Sequence, residues 1–473
     1  MLKWGMFMTA NNYTQLCEHF HKAYTNLKNE HDHPYLFGSF LALLTLKHIT
    51  AKKPTHIILS DIPETESLIN DKSIGQRLNN IFKTLTIQNE TFLQGAFDFV
   101  DFEAQLGFSD RTKHENYLVA LLNTIEELYS LYNDKSDATF NIGSIMGHLM
   151  TYGDVFTQTS RQNVKAYDGT IQTPLSVARL MAKLLEPKAN ENVYDPSCGY
   201  GALLRAVASE KHQSLQLFGR DADPIALAIT KMMLILSNVE NIDLSTQFEP
   251  VQENSIASHN RRYDIGVCEP RRKTLEGLSD FENDRSLISS GNYLFAEHIL
   301  ERLSEEGRMA IVMAHGELYQ TGLKASEREY LINNNLIDAM ISLPPRMYDW
   351  TTTPIVVMIL KKKKQNDDIL LIDATQKEMY ETKHYRSVLN DQHLNEIYNL
   401  YKRYENYKNI AKVVSNQEVK KNDYYLSFAR YFTVDRQPQS NAVSIEKNIN
   451  NLQTQLSKVR QRIKDTINKL KDL

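Results

Sequence analysis

Hydrophobic residues recur at helical spacing through the first 150 residues of this chain. One set recurs at intervals of three and four, the period of a single buried helix face: Tyr13, Leu16, Phe20, Ala23 and Leu27. Residues 35–49 are almost wholly apolar, which indicates an interior helix, and residues 118–132 form a further amphipathic pattern. We therefore predict a helical N-terminal domain over residues 1–150.

From residue 151 to residue 364, short runs of β-forming residues alternate with helical patterns. The predicted strands are residues 193–194, 215–219, 263–268, 308–314, 336–343 and 354–360. Alternation of this kind favours an α/β fold with a doubly wound parallel sheet. Only residues 344–353 separate the last two strands, which is too short for a helical crossover, so the final strand should be antiparallel.

A helix is predicted over residues 175–185, with Thr173 as its cap and Pro174 in its first turn. Residues 365–443 form a mixed, polar C-terminal extension. The tail, residues 444–473, alternates steps of four and three between apolar positions, which predicts a coiled-coil helix. Its seam is formed by Ile445, Ile449, Leu452, Leu456, Val459 and Ile463. A lone helix cannot bury such a seam, so we expect a second helix, from this chain or from a partner.

The sequence NVYDPSCGYGALLR, at 192–205, joins a strand to a helix through a glycine turn. Backbone N–H groups at such a helix start point at whatever lies above them, which suits an anionic or carboxylate-bearing nucleotide ligand. Asp221 follows the next strand, about 20 residues past the glycines, where an acidic side chain can bind ribose hydroxyls. The simpler alternative is a tight turn in an ordinary βαβ unit.

Composition limits the classes of function. With 473 residues, 42% hydrophobic and 24% charged, the chain is typical of a soluble protein of two or three domains. Its longest apolar run is too short to span a bilayer, and its start lacks the pattern of a signal peptide. Three scattered cysteines favour a reducing cytoplasm and give no metal-ligand spacing. The net charge of −4 indicates that, if the protein works on DNA, a partner would supply much of the affinity for it.

The segment Asp195-Pro196-Ser197-Cys198-Gly199-Tyr200-Gly201 resembles the Asp-Pro-x-Cys-Gly-Ser-Gly motif of adenine-N6 DNA methyltransferases. More narrowly, the chain resembles the modification (M) subunit of type I restriction-modification systems. Residues 169–174, 292–300, 307–319, 336–360 and 422–431 are similar to further segments of that family, so the resemblance covers nearly the whole chain. It implies a Rossmann-like methyltransferase fold dependent on S-adenosylmethionine (SAM), with helical regions at both ends.

The same resemblance implies a cofactor site and partners. The implied SAM-binding residues are Thr173, Asp195, Cys198, Gly199, Gly201, Asp221 and Asn254. Asn254 replaces the family's aspartate, and Tyr200 replaces a small serine, so it would either crowd the pocket or point outward. The implied partners are DNA and a specificity-type subunit that recognises it, with a restriction subunit as a further candidate and no membrane. No metal is implied.

The catalytic motif departs from the family pattern. Where the family has Asn-Pro-Pro-Phe, this chain has Glu269-Pro270-Arg271-Arg272, and the resemblance places Glu269, Pro270 and Arg272 at catalytic positions. In the family, the Asn side chain and a backbone carbonyl accept the two N–H bonds of the flipped adenine amine, and the aromatic ring stacks on the base. Glu269 retains only acceptor character, and a buried anion is costly. We therefore expect impaired or absent methyl transfer.

Three functional hypotheses follow. The first is an active M subunit with a divergent motif. The second is a non-catalytic scaffold that keeps the methyltransferase fold while assembling a DNA-binding complex. The third, a SAM enzyme that acts on RNA, protein or small molecules, fits the whole-chain resemblance less well. Cytosine methylation through Cys268 is not favoured, because that residue precedes Glu269-Pro270 at a strand end, where packing is its expected role.

Overall fold

The computed structural model of the chain describes residues 2–30, 36–68, 73–103, 111–135, 141–152, 173–210, 214–246, 261–270, 292–348, 352–383 and 386–432. The chain divides into two compact units, Met1–Ser427 and Phe428–Leu473. The second unit is described only by one short helix at its start. The predicted coiled-coil segment, residues 444–473, lies outside the described residues.

The first unit opens with helices, which are α1 Leu2–Glu30, α2 Leu36–Lys52, α3 Ile74–Gln88, α4 Glu90–Leu93, α5 Arg111–Lys135 and α6 Ile142–Tyr152. Helix α2 is apolar on nearly all sides and is buried along almost its whole length, as its sequence predicts. Among the described residues, no helix is both long enough and apolar enough to cross a membrane.

The remaining helices follow in chain order: α7 Leu175–Leu185, α8 Ala202–Glu210, α9 Pro224–Leu236, α10 Asn292–Arg302, α11 Leu323–Asn333, α12 Asp391–Arg403, α13 Asn416–Lys421 and α14 Phe428–Tyr431. Helix α7 has the predicted bounds, but the prediction that Thr173 caps it is wrong. The N-cap residue is Pro174, and no side chain accepts a capping hydrogen bond there. Because proline fixes φ near the helical value, Pro174 can begin the helix without such a cap.

The strands are β1 Asn192–Asp195, β2 Gln216–Arg220, β3 Ile242–Ser245, β4 Tyr263–Cys268, β5 Leu303–Ala314, β6 Ile337–Ser342, β7 Ile355–Lys361, β8 Asp368–Asp373, β9 Glu381–Lys383, β10 Arg386–Val388 and β11 Ala411–Ser415. Nine of them form one sheet in the order β11-β8-β6-β7-β5-β4-β1-β2-β3, and β9 and β10 pair separately. Strands β3, β2, β1, β4 and β5 are parallel.

Strand β7 lies between β5 and β6 and is antiparallel to both, which confirms the predicted direction of that strand. The sheet then continues past residue 364. Strand β8 pairs in parallel with β6, and β11 pairs antiparallel with β8. The polar extension predicted over residues 365–443 therefore contributes two strands to the main sheet. The division into domains at residues 150, 364 and 443 stays a prediction.

Two apolar cores hold the first unit together. One lies among the N-terminal helices and also takes in one face of α9, including Met232, Met233 and Leu236. The other lies against the sheet, between α7, α8 and the central strands. Helix α9 contributes to the helical core, and the strands before and after it in the chain, β2 and β3, belong to the sheet. The N-terminal helices and the sheet are therefore packed against each other, with the β1–α8 turn at their junction.

Candidate functional site

The glycine turn after β1 is built by backbone hydrogen bonds. Gly199 and Gly201 have φ values of 50° and 72°, the left-handed region in which side chains other than glycine are strained. The N–H of Cys198 donates to the carbonyl of Arg220 at 2.9 Å, and the N–H of Gly201 donates to the carbonyl of Cys198 at 2.8 Å. The turn is therefore fixed to the end of β2 before α8 begins.

Two buried carboxylates flank this turn at the carboxyl ends of adjacent parallel strands. Asp195, at the end of β1, accepts from the N–H of Ser197 at 3.0 Å. Asp221, just after β2, accepts from the N–H of Gly199 at 2.8 Å and from the N–H of Asp223 at 3.0 Å. Each carboxylate oxygen can accept more than one hydrogen bond, so Asp221 can hold the turn and still accept from ligand hydroxyls.

Helix α9 closes the other side of the turn through Thr230. Its hydroxyl donates to the carbonyl of Gly199 at 2.6 Å. A Cβ atom added to Gly201 would lie 2.7 Å from Thr230 Cγ2, so only glycine fits there. Sequence reasoning missed Thr230. Its one signal is a buried hydroxyl residue within the otherwise apolar α9 sequence PIALAITKMMLIL.

Tyr200, between the two glycines of the turn, is a buried residue. Its side chain is buried in the helical core, together with residues such as Met146 and Ile229. The aromatic ring that replaces the family's small serine therefore packs the helical region onto the sheet. The ring is 1% exposed, so the alternative in which Tyr200 points outward into solvent is wrong.

The structure also places the side chains of Cys198 and Thr173. Cys198 lies in the sheet core, where its sulfur would be 3.0 Å from a Cβ added to Gly219. Its contribution to the turn is therefore made by its backbone. Thr173 is buried immediately before α7. Asn254 lies outside the described residues.

Arg205 joins the turn's helix to the N-terminal helices and was also missed from the sequence. This buried residue of α8 donates to the carbonyl of Gly143, in α6, at 2.8 Å. A Cβ added to Gly147 would lie 2.3 Å from its guanidinium. The available signal was the pair of glycines four residues apart in α6, which gives that helix a flat face for close approach.

The segment predicted to be catalytic begins where β4 ends. Strand β4 lies between β1 and β5, so Glu269 and Pro270 leave the sheet at the same edge as Asp195. Both residues are half-buried, whereas Cys268 is fully buried in the strand. Arg271 and Arg272 lie outside the described residues. The structure thus brings together Asp195, Gly199, Gly201, Asp221 and Glu269 along one edge of the sheet.

A buried aromatic layer supports β1 and β4 beneath this edge. The rings of Tyr194 and Tyr263 stack with centroids 4.4 Å apart. The hydroxyl of Tyr194 forms a 2.8 Å hydrogen bond with Nε2 of His298, in α10. Burial lowers the pKa of His298 well below its ordinary value, so the ring is neutral at pH 7. This layer fixes the spacing of the two strands that carry the site.

Comparisons with known proteins place this arrangement in a family. The family described as N-6 DNA Methylase matches residues 147–440. A type I restriction enzyme methylase subunit of Mycoplasma pneumoniae is 24% identical, over 96% of this chain and 89% of that protein. A similar subunit of Methanocaldococcus jannaschii is 23% identical, over 64% of this chain and 59% of that protein.

Solved structures agree on the fold. A type I methyltransferase subunit from Streptococcus thermophilus matches with a TM-score of 0.69 and 21% identity, covering 89% of this chain and all (100%) of that one. A modification subunit of a putative type I enzyme from Vibrio vulnificus matches with a TM-score of 0.55 and 16% identity, covering 86% and 93%. Together these matches confirm the predicted resemblance and the predicted methyltransferase fold.

Proposed function

This chain belongs to the N-6 DNA methylase family, and we propose that it acts as a modification subunit of the type I kind, with its own methyl transfer impaired or absent. The observation that carries the proposal is the joint placement of Asp195, Gly199, Gly201 and Asp221 at one edge of the sheet. The family membership supports SAM as the ligand of that edge.

The residues present fit a nucleoside that carries a cationic sulfonium. Asp221 would accept from the ribose hydroxyls, and the backbone at Gly199 and Gly201 would lie against the methionine part, with Asp195 adding negative charge beneath it. When bound, SAM supplies an activated methyl group. Thr173, Cys198 and Asn254 remain proposed members of the site; for Cys198 the turn's backbone is the contributing part.

Isothermal titration of the purified chain with SAM and with its demethylated product tests this binding site. We expect saturable binding of both ligands in the micromolar range typical of cofactors, about 1 μM to 1 mM. Absence of binding at millimolar ligand would refute the cofactor assignment.

The impairment is assigned to the segment that follows β4. Methyl transfer requires the target amine to be held about 3–3.5 Å from the reacting carbon. A family Asn both accepts from the amine and carries no charge, whereas Glu269 is a half-buried acid. Arg271 and Arg272 replace a rigid proline and a stacking aromatic, and the loss of stacking alone costs about 1–3 kcal/mol per base.

A methylation assay tests the impairment. The chain is assembled with its native partner and given labelled SAM and cognate DNA, and transferred methyl groups are counted. We expect far fewer than from a relative with the intact motif, and recovery when residues 269–272 are replaced by Asn-Pro-Pro-Phe. Ordinary turnover by the unmodified complex would overturn the impairment and make Glu269 the amine acceptor.

DNA recognition is assigned to a specificity-type subunit. The net charge of −4 and the predicted seam of residues 445–473, which lie outside the described residues, support a partner that supplies both a helix and basic surface. Deleting the chain from Ser444 onward should abolish co-purification with that subunit while SAM binding persists. An unchanged complex, or tight sequence-specific DNA binding by the chain alone, would refute the assignment.

The non-catalytic scaffold is the second candidate, and one observation favours it. The glycine turn has a structural role. Tyr200 packs into the helical core, Arg205 donates a hydrogen bond to α6, and Thr230 donates one to Gly199. Selection for assembly alone would therefore retain the turn. A complex that binds DNA with its partner but transfers no methyl group, even after motif reversion, would support this function.

A further inference from the structure

An exposed tyrosine, Tyr319, follows the strand next to β4, at the carboxyl edge of the sheet. Strand β5 pairs in parallel with β4, with Ile311 opposite Cys268. Strand β5 continues to Ala314, three residues beyond that pair, and then enters a short turn at His315–Leu318 that is followed directly by Tyr319. Because Glu269 and Pro270 leave β4 in the same direction, the turn before Tyr319 lies at the same edge of the sheet as Glu269.

The turn that presents Tyr319 is held from several sides. Arg328, in α11, is fully buried at 0% exposure and donates to the carbonyls of Glu317 and Gln320, both at 2.8 Å. The N–H of Leu426 donates to the carbonyl of Leu318 at 3.0 Å, which attaches the segment before the second unit to the same turn. A buried guanidinium is costly unless its donors are satisfied, so this arrangement fixes the turn firmly.

The ring of Tyr319, at the end of this turn, is exposed to solvent. Its exposure is 44%, although both the preceding residue, Leu318, and Glu317 are buried. The ring of His315 approaches it edge-on, with centroids 6.4 Å apart, and burial lowers the pKa of His315, which keeps that ring uncharged at pH 7. The two rings form an aromatic surface on a preorganised support, and preorganisation lowers the entropy cost of binding a planar ligand.

We propose that Tyr319 is a stacking platform for an unpaired base of the DNA substrate, at the sheet edge that also carries Glu269. The inference rests on the proposed function, since it takes DNA as the substrate class. Aromatic side chains bind nucleobases through the π-face without a requirement for sequence, and each stacked base is a substantial part of the affinity. In this chain, where Arg272 stands in the motif's aromatic position, Tyr319 supplies a ring from the end of the turn that follows the neighbouring strand β5.

Exposed tyrosines are common on protein surfaces, and α11 provides a matched control. Tyr330 is 54% exposed, belongs to the same β5–β6 connection and lies only two residues from Arg328. It sits on a helix and not in the turn after β5. If exposure alone made a tyrosine bind DNA, the two residues would behave alike.

The test uses the full chain assembled with its native specificity-type partner, and a single-stranded oligonucleotide of deoxyadenosines with one 2-aminopurine, titrated by fluorescence. Replacement Tyr319→Ala should weaken binding by about 5- to 150-fold, as expected for one stacked base. Tyr319→Phe should retain the affinity and the quenching of the 2-aminopurine, because the ring is kept. Tyr330→Ala should bind as the unmodified complex does.

Equal affinity of the complexes that carry Tyr319→Ala and Tyr330→Ala would overturn the proposal, as would the absence of binding by the unmodified complex. SAM titration of the same preparations separates this result from the proposed function. SAM binding by all variants with no effect of Tyr319 refutes the stacking platform alone. Loss of SAM binding in the unmodified chain, with the Tyr319 effect intact, refutes the cofactor assignment alone.

Discussion

The carboxyl edge of the sheet has two parts: the cofactor side, which is the turn after β1, and the target side, which is the segment after β4. Their residues differ in how far they are bound into the rest of the fold. On the cofactor side, the turn of residues 195–201 is a junction as well as a candidate ligand site, because Thr230 and Arg205 tie it to α9 and α6. On the target side, β4 retains its pairing with β1 and β5, yet the residues that follow it depart from the family's catalytic motif.

This difference shows how a motif can persist for two reasons. A change in the glycine turn would disturb both the helical region and the sheet, so the turn resists substitution whether or not a ligand binds. Glu269 stands at a strand end, where substitution leaves the sheet's hydrogen bonds in place. The retained glycine motif, residues 195–201, is therefore weak evidence for catalysis. The altered segment, residues 269–272, carries more information about function.

The largest expected effect on the free energy of unfolding comes from adding a side chain at Gly201, in the glycine turn. Gly201→Ala adds a Cβ atom 2.7 Å from Thr230 Cγ2 at a φ of 72°. Left-handed strain contributes about 1–2 kcal/mol and overpacking about 1–3 kcal/mol. We expect the free energy of unfolding to fall by about 2–5 kcal/mol in urea denaturation, together with loss of SAM binding.

Gly95→Ala is the matched control for that change. Gly95 has a similar φ of 77°, but a Cβ added there would meet no heavy atom within 4 Å. It should show the strain cost alone, about 1–2 kcal/mol, with SAM binding retained. Equal losses for the two variants would mean that the turn's close packing against Thr230 contributes nothing.

Stability should depend on pH through Glu327, in helix α11. Burial, with the nearby Glu297 carboxylate, raises the pKa of Glu327 from 4.5 to about 7, and its Oε1 accepts no hydrogen bond. Folding thus favours the protonated form. Its contribution to stability is complete below pH 4.5 and is lost as the pH rises through 7, by at most roughly 3 kcal/mol.

Glu327→Gln tests that pH dependence, because the amide cannot ionise. Between pH 5 and pH 8 the free energy of unfolding of the unmodified chain should fall further than that of the variant. Glu297→Gln should shift the midpoint of the fall to lower pH, since it removes the like charge. Parallel pH profiles for all three proteins would contradict the assignment to Glu327.

A moderate effect is expected where the turn's helix contacts the N-terminal helices. Arg205→Met removes a buried 2.8 Å hydrogen bond to the carbonyl of Gly143. Losing a hydrogen bond from a charged donor costs about 1.5–3 kcal/mol. Arg179→Met is the control, because its ion pair with Asp391 is exposed and should contribute about 0–1 kcal/mol. Thermal unfolding that is equally affected in both variants would contradict the bridging role.

The fold was largely predictable where the pattern was strong and local. Helix α7 has its predicted bounds, and the central strands lie within a few residues of their predictions. Strand β3 was missed because its residues are only half-buried, so its sequence lacks an apolar run. Strand β8 was missed although residues 369–372 are a run of four apolar residues, because the segment around them is polar as a whole. Strand β11 has a weaker pattern, and its pairing with β8 is a long-range contact that the local sequence does not show.

The site was predictable in its backbone but not in its side-chain directions. The glycines and Asp221 were identified because their spacing follows from the strand-turn-helix geometry. The burial of Tyr200 in the helical core and the capping of α7 by Pro174 depend on tertiary contacts and local backbone angles. The role of Arg328 was not predicted because its partners are backbone carbonyls, which leave no pattern in the sequence. Tyr319 was not predicted either, because its position depends on the turn that Arg328 holds.

The smallest effect separates two neighbouring carboxylates on the cofactor side. Asp223 caps α9, where its side chain accepts from the N–H of Ile225 at 2.9 Å, and its loss should cost about 1 kcal/mol of stability. Asp221 instead accepts from the N–H of Gly199 and lies at the proposed ribose position. Asp223→Ala should therefore lower the melting temperature with SAM affinity nearly unchanged, whereas Asp221→Ala should weaken SAM binding by at least tenfold. Calorimetric titration beside thermal unfolding distinguishes the two. If Asp223→Ala weakened SAM binding as much as Asp221→Ala, the assignment of the ribose to Asp221 would fail.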